Sequence, residues 1–420
     1  MATSNGYGSI SSTSLATAQP QPSGDSSDNV IRTKILLVGL RKSGKTSIYE
    51  TLFNDCDPKQ TFYLDTSTRI TRHTYDTAIP LEIWDCPGII APETLGGQLS
   101  QFSSLIFVID IQNLLQEPIA KLVDWVAAVY RYNPLMNLEV FVHKADVLTE
   151  DYKWDAFRTI QSRVNDEIQE TSEEYEQISV NFSLTSIYDH SLHESFSKVL
   201  QKLMDTMPAY EELINVFCAN SQSSKAFLCD IKSRLYLATD ASPVDTQDYG
   251  LCADYLQMLN SFGPLYRSAT ASPPRHRTVG ALHSPPPELS NPASPIVPLS
   301  AISSASQTPK VQVFPIPSTS PTPPTRSSSS ASNPQPEAST GRQQKLKNLF
   351  YPSASTSLLP SSSSARTLTY YLITPHLALL TLLPTSVFED KRGLVEYNVV
   401  FLREGVQEIY EVEDELRRGG

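Results

Sequence analysis

Short apolar runs alternate with amphipathic stretches along the first half of the chain. The run from Ile35 to Val38 is continuous and apolar, which is typical of a strand buried on both faces of a parallel sheet. Strands that alternate with helices favour a mostly parallel six-stranded α/β sheet, and a short link before Leu81 predicts one antiparallel edge. The predicted strands are 34–39, 70–77, 81–85, 105–110, 139–144 and 178–185, and the predicted helices are 45–54, 117–131, 155–170 and 191–206.

A second pattern begins after Pro208 and is interrupted by a long polar segment. Helix (209–219), strands (226–231, 234–238) and helix (246–261) precede the interruption, and strands (369–373, 377–383) and an amphipathic helix (391–411) follow it. Each part is too small to bury a convincing core, so we expect both to form one α/β domain with the segment extruded from a surface loop. The predicted division is a disordered tail (1–30), a first domain (31–207), the two halves of a second domain (208–264 and 367–412), a disordered insert between them (265–366) and a tail (413–420).

The insert has the composition of a disordered chain. Residues 271–366 hold 18 of the 31 prolines and two acidic residues, and such a segment cannot bury enough apolar surface to offset its ordering entropy. Six Ser-Pro or Thr-Pro steps make it either an inert spacer or a target of proline-directed phosphorylation. The sequence leaves both interpretations open.

Charge and cysteine content narrow the classes of function. The formal net charge of −12 argues against a nucleic-acid binder, which needs clustered Lys and Arg to neutralise phosphates. Five cysteines without a C-x-x-C pair favour reduced thiols over zinc or disulfides. A polar beginning and the lack of a lipidation motif predict no secretory signal and no direct membrane anchor, so any membrane residence would come through partners.

Candidate chemistry begins where the first strand ends, in a loop of the form G-x-x-x-x-G-K-T. Gly39 and Gly44 permit tight turns, so that successive N–H groups and the positive end of the next helix point at one anion. Lys45 is placed to reach the β- and γ-phosphates, and the Thr46 hydroxyl is placed to ligate Mg²⁺. The predicted nucleotide-binding residues of this loop are Gly39, Arg41, Lys42, Ser43, Gly44, Lys45, Thr46 and Ser47.

Two further segments complete a predicted site for Mg²⁺ and the γ-phosphate. Asp85 ends the third strand, and Gly88 follows three residues later. In P-loop proteins a carboxylate at this place holds a metal-bound water, and the N–H of such a glycine contacts the γ-phosphate. In the polar run 64–70 before the second strand, which we call the switch run, Ser67 is our first choice for the hydroxyl that joins Thr46 and Asp85 at the metal, and Thr66 is the second. A loop satisfied by its own side-chain bonds is nearly as good an interpretation of that run.

The end of the fifth strand carries a candidate for base recognition. Asp146 in the sequence His143-Lys144-Ala145-Asp146 can accept hydrogen bonds from both the ring N–H and the exocyclic amine of guanine. A buried Asp would stay unpaired against adenine, so this position opposes a P-loop ATPase or kinase. Lys144 would pack along the base and tie this segment to the phosphate loop. Ser186 and Ile187, after the last strand, are expected to contribute a backbone contact to the base.

Together these motifs resemble the Ras-like GTPases, and more narrowly the Rag GTPases of the C/D type. The resemblance covers about 31–262 and 367–412 and rests on 39–46, 64–70, 84–88, 143–146, 184–191, 225–228, 238–245 and 391–398. It implies a Ras-like P-loop G domain that binds GTP or GDP with Mg²⁺, followed by a roadblock-like domain that pairs with an A/B-type Rag partner. It further implies a cytoplasmic heterodimer that docks on a scaffold complex at the lysosome or vacuole and reports amino-acid sufficiency to the target-of-rapamycin kinase complex.

One position departs from the family pattern. Ras-like relatives usually carry Gln after the glycine of D-x-x-G, where it orients the attacking water, but here the residue is Ile89. We therefore assign no catalytic residue, and we expect slow intrinsic hydrolysis that depends on a GTPase-activating protein. The alternative is an interaction protein that keeps its nucleotide almost permanently and serves as a structural half of a dimer.

Overall fold

The computed structural model of the chain describes residues 31–76, 79–113, 116–172, 174–175, 179–262, 352–358 and 365–419. The predicted tail 1–30 and most of the predicted insert lie outside these residues. Among the described helices, none is both long enough and apolar enough to cross a membrane.

The first half of the chain forms a six-stranded sheet in the order β2-β3-β1-β4-β5-β6, flanked by helices on both faces. Its strands are β1 Thr33–Gly39, β2 Thr71–Tyr75, β3 Leu81–Asp85, β4 Ser104–Asp110, β5 Asn137–His143 and β6 Val180–Thr185. Its helices are α1 Lys45–Phe53, α2 Pro92–Leu95, α3 Gln116–Tyr132, α4 Glu150–Thr171 and α5 Ser191–Lys202. All neighbouring strands are parallel except β2 and β3, so the predicted fold class with its antiparallel edge is confirmed.

The continuous apolar run of β1 follows from its central place in the sheet. Leu36 and Val38 pack on one face with side chains of α3, and Ile35 and Leu37 pack on the other with side chains of α1 and α5. All four side chains are almost fully buried, and burial of each contributes about 1.5–3 kcal/mol. A strand fixed on both faces gives the loop after Gly39 a rigid base.

The second domain is a five-stranded sheet in the order β8-β7-β11-β10-β9. Its strands are β7 Lys225–Asp230, β8 Tyr236–Thr239, β9 Ser353–Leu358, β10 Arg366–Leu372 and β11 Leu377–Pro384, and its helices are α6 Met207–Ser221, α7 Thr246–Phe262, α8 Thr385–Asp390 and α9 Arg392–Gly419. β7 pairs with β11, so strands from both sides of the insert share one sheet. An additional α/β unit therefore follows the first domain.

Two predicted segments differ from the structure. β9 lies inside the range 265–366 that the sequence predicts as disordered, because its Ser- and Thr-rich residues pair with β10 by backbone hydrogen bonds, which demand little of the side chains. Ala354 and Leu358 add apolar contacts to the core of the second domain. Helix α9 continues into the predicted tail 413–420, where the buried Glu413 accepts a hydrogen bond from Thr206 at the start of α6.

Polar contacts join the two domains. The Tyr75 hydroxyl, at the end of β2, donates to Asp230 Oδ2 at 3.1 Å, and Arg234 forms an ion pair with Asp55 at 3.1 Å. On α5, Ser197 Oγ accepts a hydrogen bond from the Tyr236 N–H at 3.0 Å. The strand next to the predicted switch run is thus tied directly to the second domain.

A buried histidine at this junction predicts a pH dependence of stability. His193 on α5 is 6% exposed, and neither ring nitrogen has a hydrogen-bond partner in the described part of the chain. Burial, with smaller effects of Arg234 and His190, lowers its pKa to about 3. An unfolded chain takes up this proton near pH 6.5 while the folded chain does not, so the stability that is fully present above this pH is lost as the pH falls below it.

We therefore expect the free energy of unfolding to fall by about 1.4 kcal/mol per pH unit for this proton between pH 6 and 4. The substitution His193→Leu should flatten that slope without loss of stability at pH 7, because it removes an unpaired buried polar group. Urea unfolding at pH 7.5 and 5 measures both effects, with His376→Leu in a half-exposed turn as the control. An unchanged slope in the His193 variant would contradict the expectation.

Candidate nucleotide-binding site

The loop between β1 and α1 has a backbone that requires glycine at two places. Gly39 has φ 140° and a Cβ there would lie 2.3 Å from the Val108 oxygen. Gly44 has φ 106°, and a Cβ there would lie 2.6 Å from the His143 ring. Both glycines have a positive φ, and a Cβ at either would clash with a neighbouring residue. The loop, which leads into the N-terminus of α1 where an anion would bind, therefore tolerates no side chain at these two positions.

Lys45 lies under this loop, in the first turn of α1. Its side chain is 6% exposed, and Nζ donates to the carbonyl oxygens of Gly39 at 3.0 Å and Leu40 at 2.8 Å. Burial lowers the pKa of Lys45 to about 8 even though the Asp85 carboxylate opposes the shift. A poorly solvated ammonium gains more from an anionic partner than an exposed one, which suits it to hold phosphate oxygens.

Three oxygen-bearing side chains meet beside the loop. Asp85 Oδ2 accepts hydrogen bonds from Thr46 Oγ1 at 2.6 Å and from Ser67 Oγ at 2.9 Å, and the two hydroxyl oxygens are 2.9 Å apart. Asp85 is 1% exposed, and its other oxygen, Oδ1, has no hydrogen-bond partner within the described residues. A buried carboxylate oxygen without a partner, next to two hydroxyls, fits Mg²⁺ or its bound water, because magnesium takes hard oxygen ligands.

The second candidate for the switch hydroxyl lies elsewhere. Thr66 Oγ1 accepts a hydrogen bond from the Arg41 guanidinium at 3.3 Å and does not join Asp85. Of the two choices left open by the sequence, the structure brings Ser67 to Thr46 and Asp85. Arg41 links the phosphate loop to the switch run through Thr66.

Gly88 is packed against the phosphate loop. A Cβ there would lie 2.2 Å from the Arg41 nitrogen, so the backbone of the D-x-x-G segment approaches that of the loop as closely as glycine allows. The Ile89 side chain that follows is 83% exposed and has no amide to orient a water. Lys121 on α3, which no sequence pattern singles out, donates to the Gly88 oxygen. No motif marks that residue, since only the tertiary packing of α3 brings it there.

The segment after β5 is tied to the phosphate loop. Lys144 has φ 64°, and its Nζ donates to the Lys42 oxygen at 2.8 Å and to Asp110 Oδ2 at 2.6 Å. Asp146 Oδ1 accepts a hydrogen bond from Ser186 Oγ at 2.6 Å. The preference for guanine over adenine predicted from the sequence requires a buried Asp146, but the side chain is exposed, in a short 3₁₀ helix at 145–147. The carboxylate of Asp146 keeps access to water until a base covers it. Selectivity for guanine must therefore come from direct hydrogen bonds between Asp146 and the base.

His143 occupies a supporting position. The ring is 1% exposed, its Nδ1 lies 2.9 Å from Thr185 Oγ1, and its edge packs on Gly44. Burial lowers the pKa of His143 to about 4, so the ring is neutral at physiological pH. A neutral ring between the two loops fixes their spacing.

The remaining predicted residues surround this centre. Lys42 is exposed with φ 64°, whereas Ser43 is 2% exposed and Ser47 lies half-buried in the first turn of α1. The Ser186 N–H donates to Ser191 Oγ at 2.9 Å, and Ile187 packs on the apolar core. All predicted nucleotide-binding positions thus lie along the carboxyl edge of the sheet or in the loops that follow it, where open α/β sheets bind ligands.

The mostly parallel sheet with a phosphate loop after its first strand is that of a Ras-like G domain, so the chain is a G protein. The model of the family described as the Gtr1/RagA G protein conserved region matches residues 34–256. The chain belongs to this family, whose members are GTP-binding proteins.

Relatives within the family place the chain nearer to the C/D type. It is 39% identical to GTP-binding protein gtr2 of Schizosaccharomyces pombe over 247 residues, which cover 58% of this chain and 78% of that protein. It is 40% identical to Ras-related GTP-binding protein D of Mus musculus over 242 residues, which cover 56% of this chain and about half (54%) of that protein. Identity to GTP-binding protein gtr1 of Schizosaccharomyces pombe is 23% over 222 residues, 50% of this chain and 70% of that protein.

Proposed function

We propose that the chain is a guanine-nucleotide switch that binds GTP or GDP together with Mg²⁺. The observation that carries the proposal is the meeting of Thr46 and Ser67 at Oδ2 of the buried Asp85 carboxylate, whose other oxygen, Oδ1, has no partner among the described residues. Thr46 and Ser67 would ligate the metal directly, and Asp85 would hold one of its waters. Bound Mg²⁺ neutralises phosphate charge.

The other site residues then have separate tasks. Backbone N–H groups from Gly39 to Ser47 cradle the phosphates, and Lys45 pairs with the β- and γ-phosphates. Asp146 accepts the two N–H donors of guanine, Lys144 holds its segment against the loop, and the segment Ser186 and Ile187 closes the base site. The buried ring of His143 fixes the spacing of the phosphate loop and the segment after β5. The Gly88 N–H contacts the γ-phosphate, so its position changes when that phosphate is lost.

The state of the switch is read by partners. Ser67 can reach the metal only when the run 64–70 is folded over it, so loss of the γ-phosphate changes this surface. We infer that the partner is an A/B-type Rag GTPase, because the family contains both gtr1-like and gtr2-like members. The second domain, as a roadblock-like unit, supplies the dimer contact. The heterodimer would be cytoplasmic and recruited through a scaffold complex to the lysosomal or vacuolar membrane, where it relays amino-acid availability to the target-of-rapamycin complex.

Co-purification of the full-length chain from its native cell tests this proposal. We expect stoichiometric guanine nucleotide and an A/B-type Rag protein in the same complex. Adenine nucleotide, or no nucleotide with Mg²⁺ present throughout, would contradict the switch. A guanine-nucleotide-bound chain without a Rag partner would contradict the heterodimer alone.

Intrinsic hydrolysis should be slow because of Ile89. Replacement by Gln supplies an amide to orient water, and the 83% exposed side chain can be changed without disturbing the core. We expect Ile89→Gln to raise the single-turnover rate of GTP hydrolysis by about 100-fold in the absence of an activating protein, at the low end for a positioned catalytic group. Ile89→Asn, whose amide is one methylene shorter, is the matched control. A wild-type rate equal to that of Ile89→Gln would contradict the expectation.

A second candidate function is a structural half of the heterodimer that keeps its nucleotide. The exposed Ile89 is again the observation that favours it. Incubation of GTP-loaded heterodimer with an extract that contains activating proteins separates the two functions. Conversion to GDP supports the cycling switch, and persistence of GTP supports the structural half.

A further inference from the structure

Gly88 is held from two sides, and one of the holders belongs to no motif. The Gly88 carbonyl oxygen accepts a hydrogen bond from Lys121 Nζ at 2.5 Å across 33 residues of chain. On the opposite side lies the Arg41 backbone, which a Cβ on Gly88 would approach to 2.2 Å. The peptide after Gly88 is therefore clamped between the phosphate loop and helix α3.

Helix α3 is a rigid place from which to hold this peptide. Leu122 and Trp125, which lie close to Lys121 on the helix, are at most 1% exposed and pack in the core of the first domain. Ile89, on the held segment itself, is 83% exposed and contributes almost no packing. Ile90, the residue after it, packs in the same core as α3. The contact from Lys121 therefore adds a polar anchor at the Gly88 peptide itself, where the adjacent Ile89 side chain gives none.

The Lys121 side chain is half-buried, so its ammonium is only partly solvated. Burial lowers the pKa of Lys121, and Glu117 and Asp124 on the same helix oppose the shift. Hydrogen bonds from an ionised donor are roughly twice as strong as those between neutral groups. A bond of this kind from a fixed helix can bias the conformation of a loop.

The anchor coexists with a closed switch run. In the same structure Ser67 Oγ lies 2.9 Å from both Thr46 Oγ1 and Asp85 Oδ2. The triphosphate state needs this arrangement, because the switch hydroxyl must then reach the metal. The bond between Lys121 and Gly88 therefore belongs to the closed arrangement.

We propose that Lys121 is a positioning residue that fixes the Gly88 peptide in the closed arrangement and thereby favours GTP over GDP. It acts through Gly88 and needs no contact with the nucleotide. The inference rests on the proposed function, since it assigns a determinant of nucleotide preference to that same site.

Equilibrium binding of fluorescent GDP and of a fluorescent non-hydrolysable GTP analogue to the full-length chain tests the proposal. Lys121→Met keeps the length of the side chain and removes the donor. We expect it to weaken binding of the GTP analogue by about tenfold, the effect of one charged hydrogen bond, and binding of GDP by about threefold at most. Lys121→Arg keeps a charged donor and should recover most of the difference. Lys198→Met, which removes an exposed ammonium paired with Glu194 on α5, is the control and should leave the ratio unchanged.

Each outcome has a distinct meaning. A GTP-to-GDP affinity ratio in Lys121→Met within about twofold of the wild type would overturn the inference, and so would an equal loss for both nucleotides. Hydrogen exchange of 89–101 with the GTP analogue bound gives a second readout, which should rise in Lys121→Met and remain at the wild-type level in Lys198→Met. Failure of the wild-type chain to bind either nucleotide would instead overturn the proposed function.

Discussion

Replacing Asp146 by Asn is expected to lower the affinity for GTP by a factor on the order of 10³ and to favour xanthosine triphosphate instead, because sites built to pair a ligand N–H reject mismatched partners by large factors. The Asp146 carboxylate offers two acceptors, and the amide of Asn turns one of them into a donor. That donor opposes the exocyclic amine of guanine and matches the oxygen that xanthine carries at the same place.

The exposed position of Asp146 makes this test clean. Its side chain lies on a short 3₁₀ helix and contacts Ser186, so the substitution leaves the core intact and the folded fraction should not change. Competition of unlabelled nucleotides against fluorescent GDP measures the change in preference. Asp151→Asn, in the exposed first turn of α4, removes the same charge five residues away and should have no effect. Unaltered GTP affinity in Asp146→Asn would contradict recognition of guanine by Asp146.

Asp85→Asn should separate metal binding from stability. Asparagine keeps an oxygen for Thr46 and Ser67 but loses the negative charge, so we expect the tightening of GDP binding by Mg²⁺ to fall by about 10- to 100-fold, as for other residues that hold metal-bound water. In the absence of metal the variant should be at least as stable as the wild type. The wild type then carries a buried carboxylate with one oxygen unpaired among the described residues, which is costly.

Dissociation rates of fluorescent GDP with Mg²⁺ and with a chelator measure the first effect, and urea unfolding with the chelator measures the second. Asp155→Asn on the exposed face of α4 serves as the matched control. An equal response to Mg²⁺ in wild type and Asp85→Asn would show that the carboxylate does not serve the metal.

The sheet and its phosphate loop could be predicted because their signals are local. The apolar run from Ile35 and the glycines that follow it specify a buried strand and a tight loop without reference to the rest of the chain. The choice of Ser67 over Thr66 has no such local signal. Neighbouring hydroxyls in a loop differ only in the direction in which the folded backbone points them.

Other features depend on tertiary contacts that leave no pattern. Lys121 is one more polar residue on an amphipathic helix until α3 packs beside Gly88. β9 has the Ser-rich composition of the insert around it, and it becomes a strand only because β10 offers a free edge. His193 lies near a helix start and no pattern marks it as buried, yet it packs at the junction with the second domain, close to Arg234.

The pairing of β7 with β11 also sets the order in which the chain matures on the ribosome. Ser224 and its hydrogen-bond partner Leu382 are 158 residues apart, whereas the first domain is complete before β7 is made. At about 5–20 residues per second, β7 and β8 must wait on the order of ten seconds or more for their remaining strands. During that interval the first domain can already fold, while β7 lacks its partner strand β11. The sheet of the second domain therefore closes only after β11 has been made.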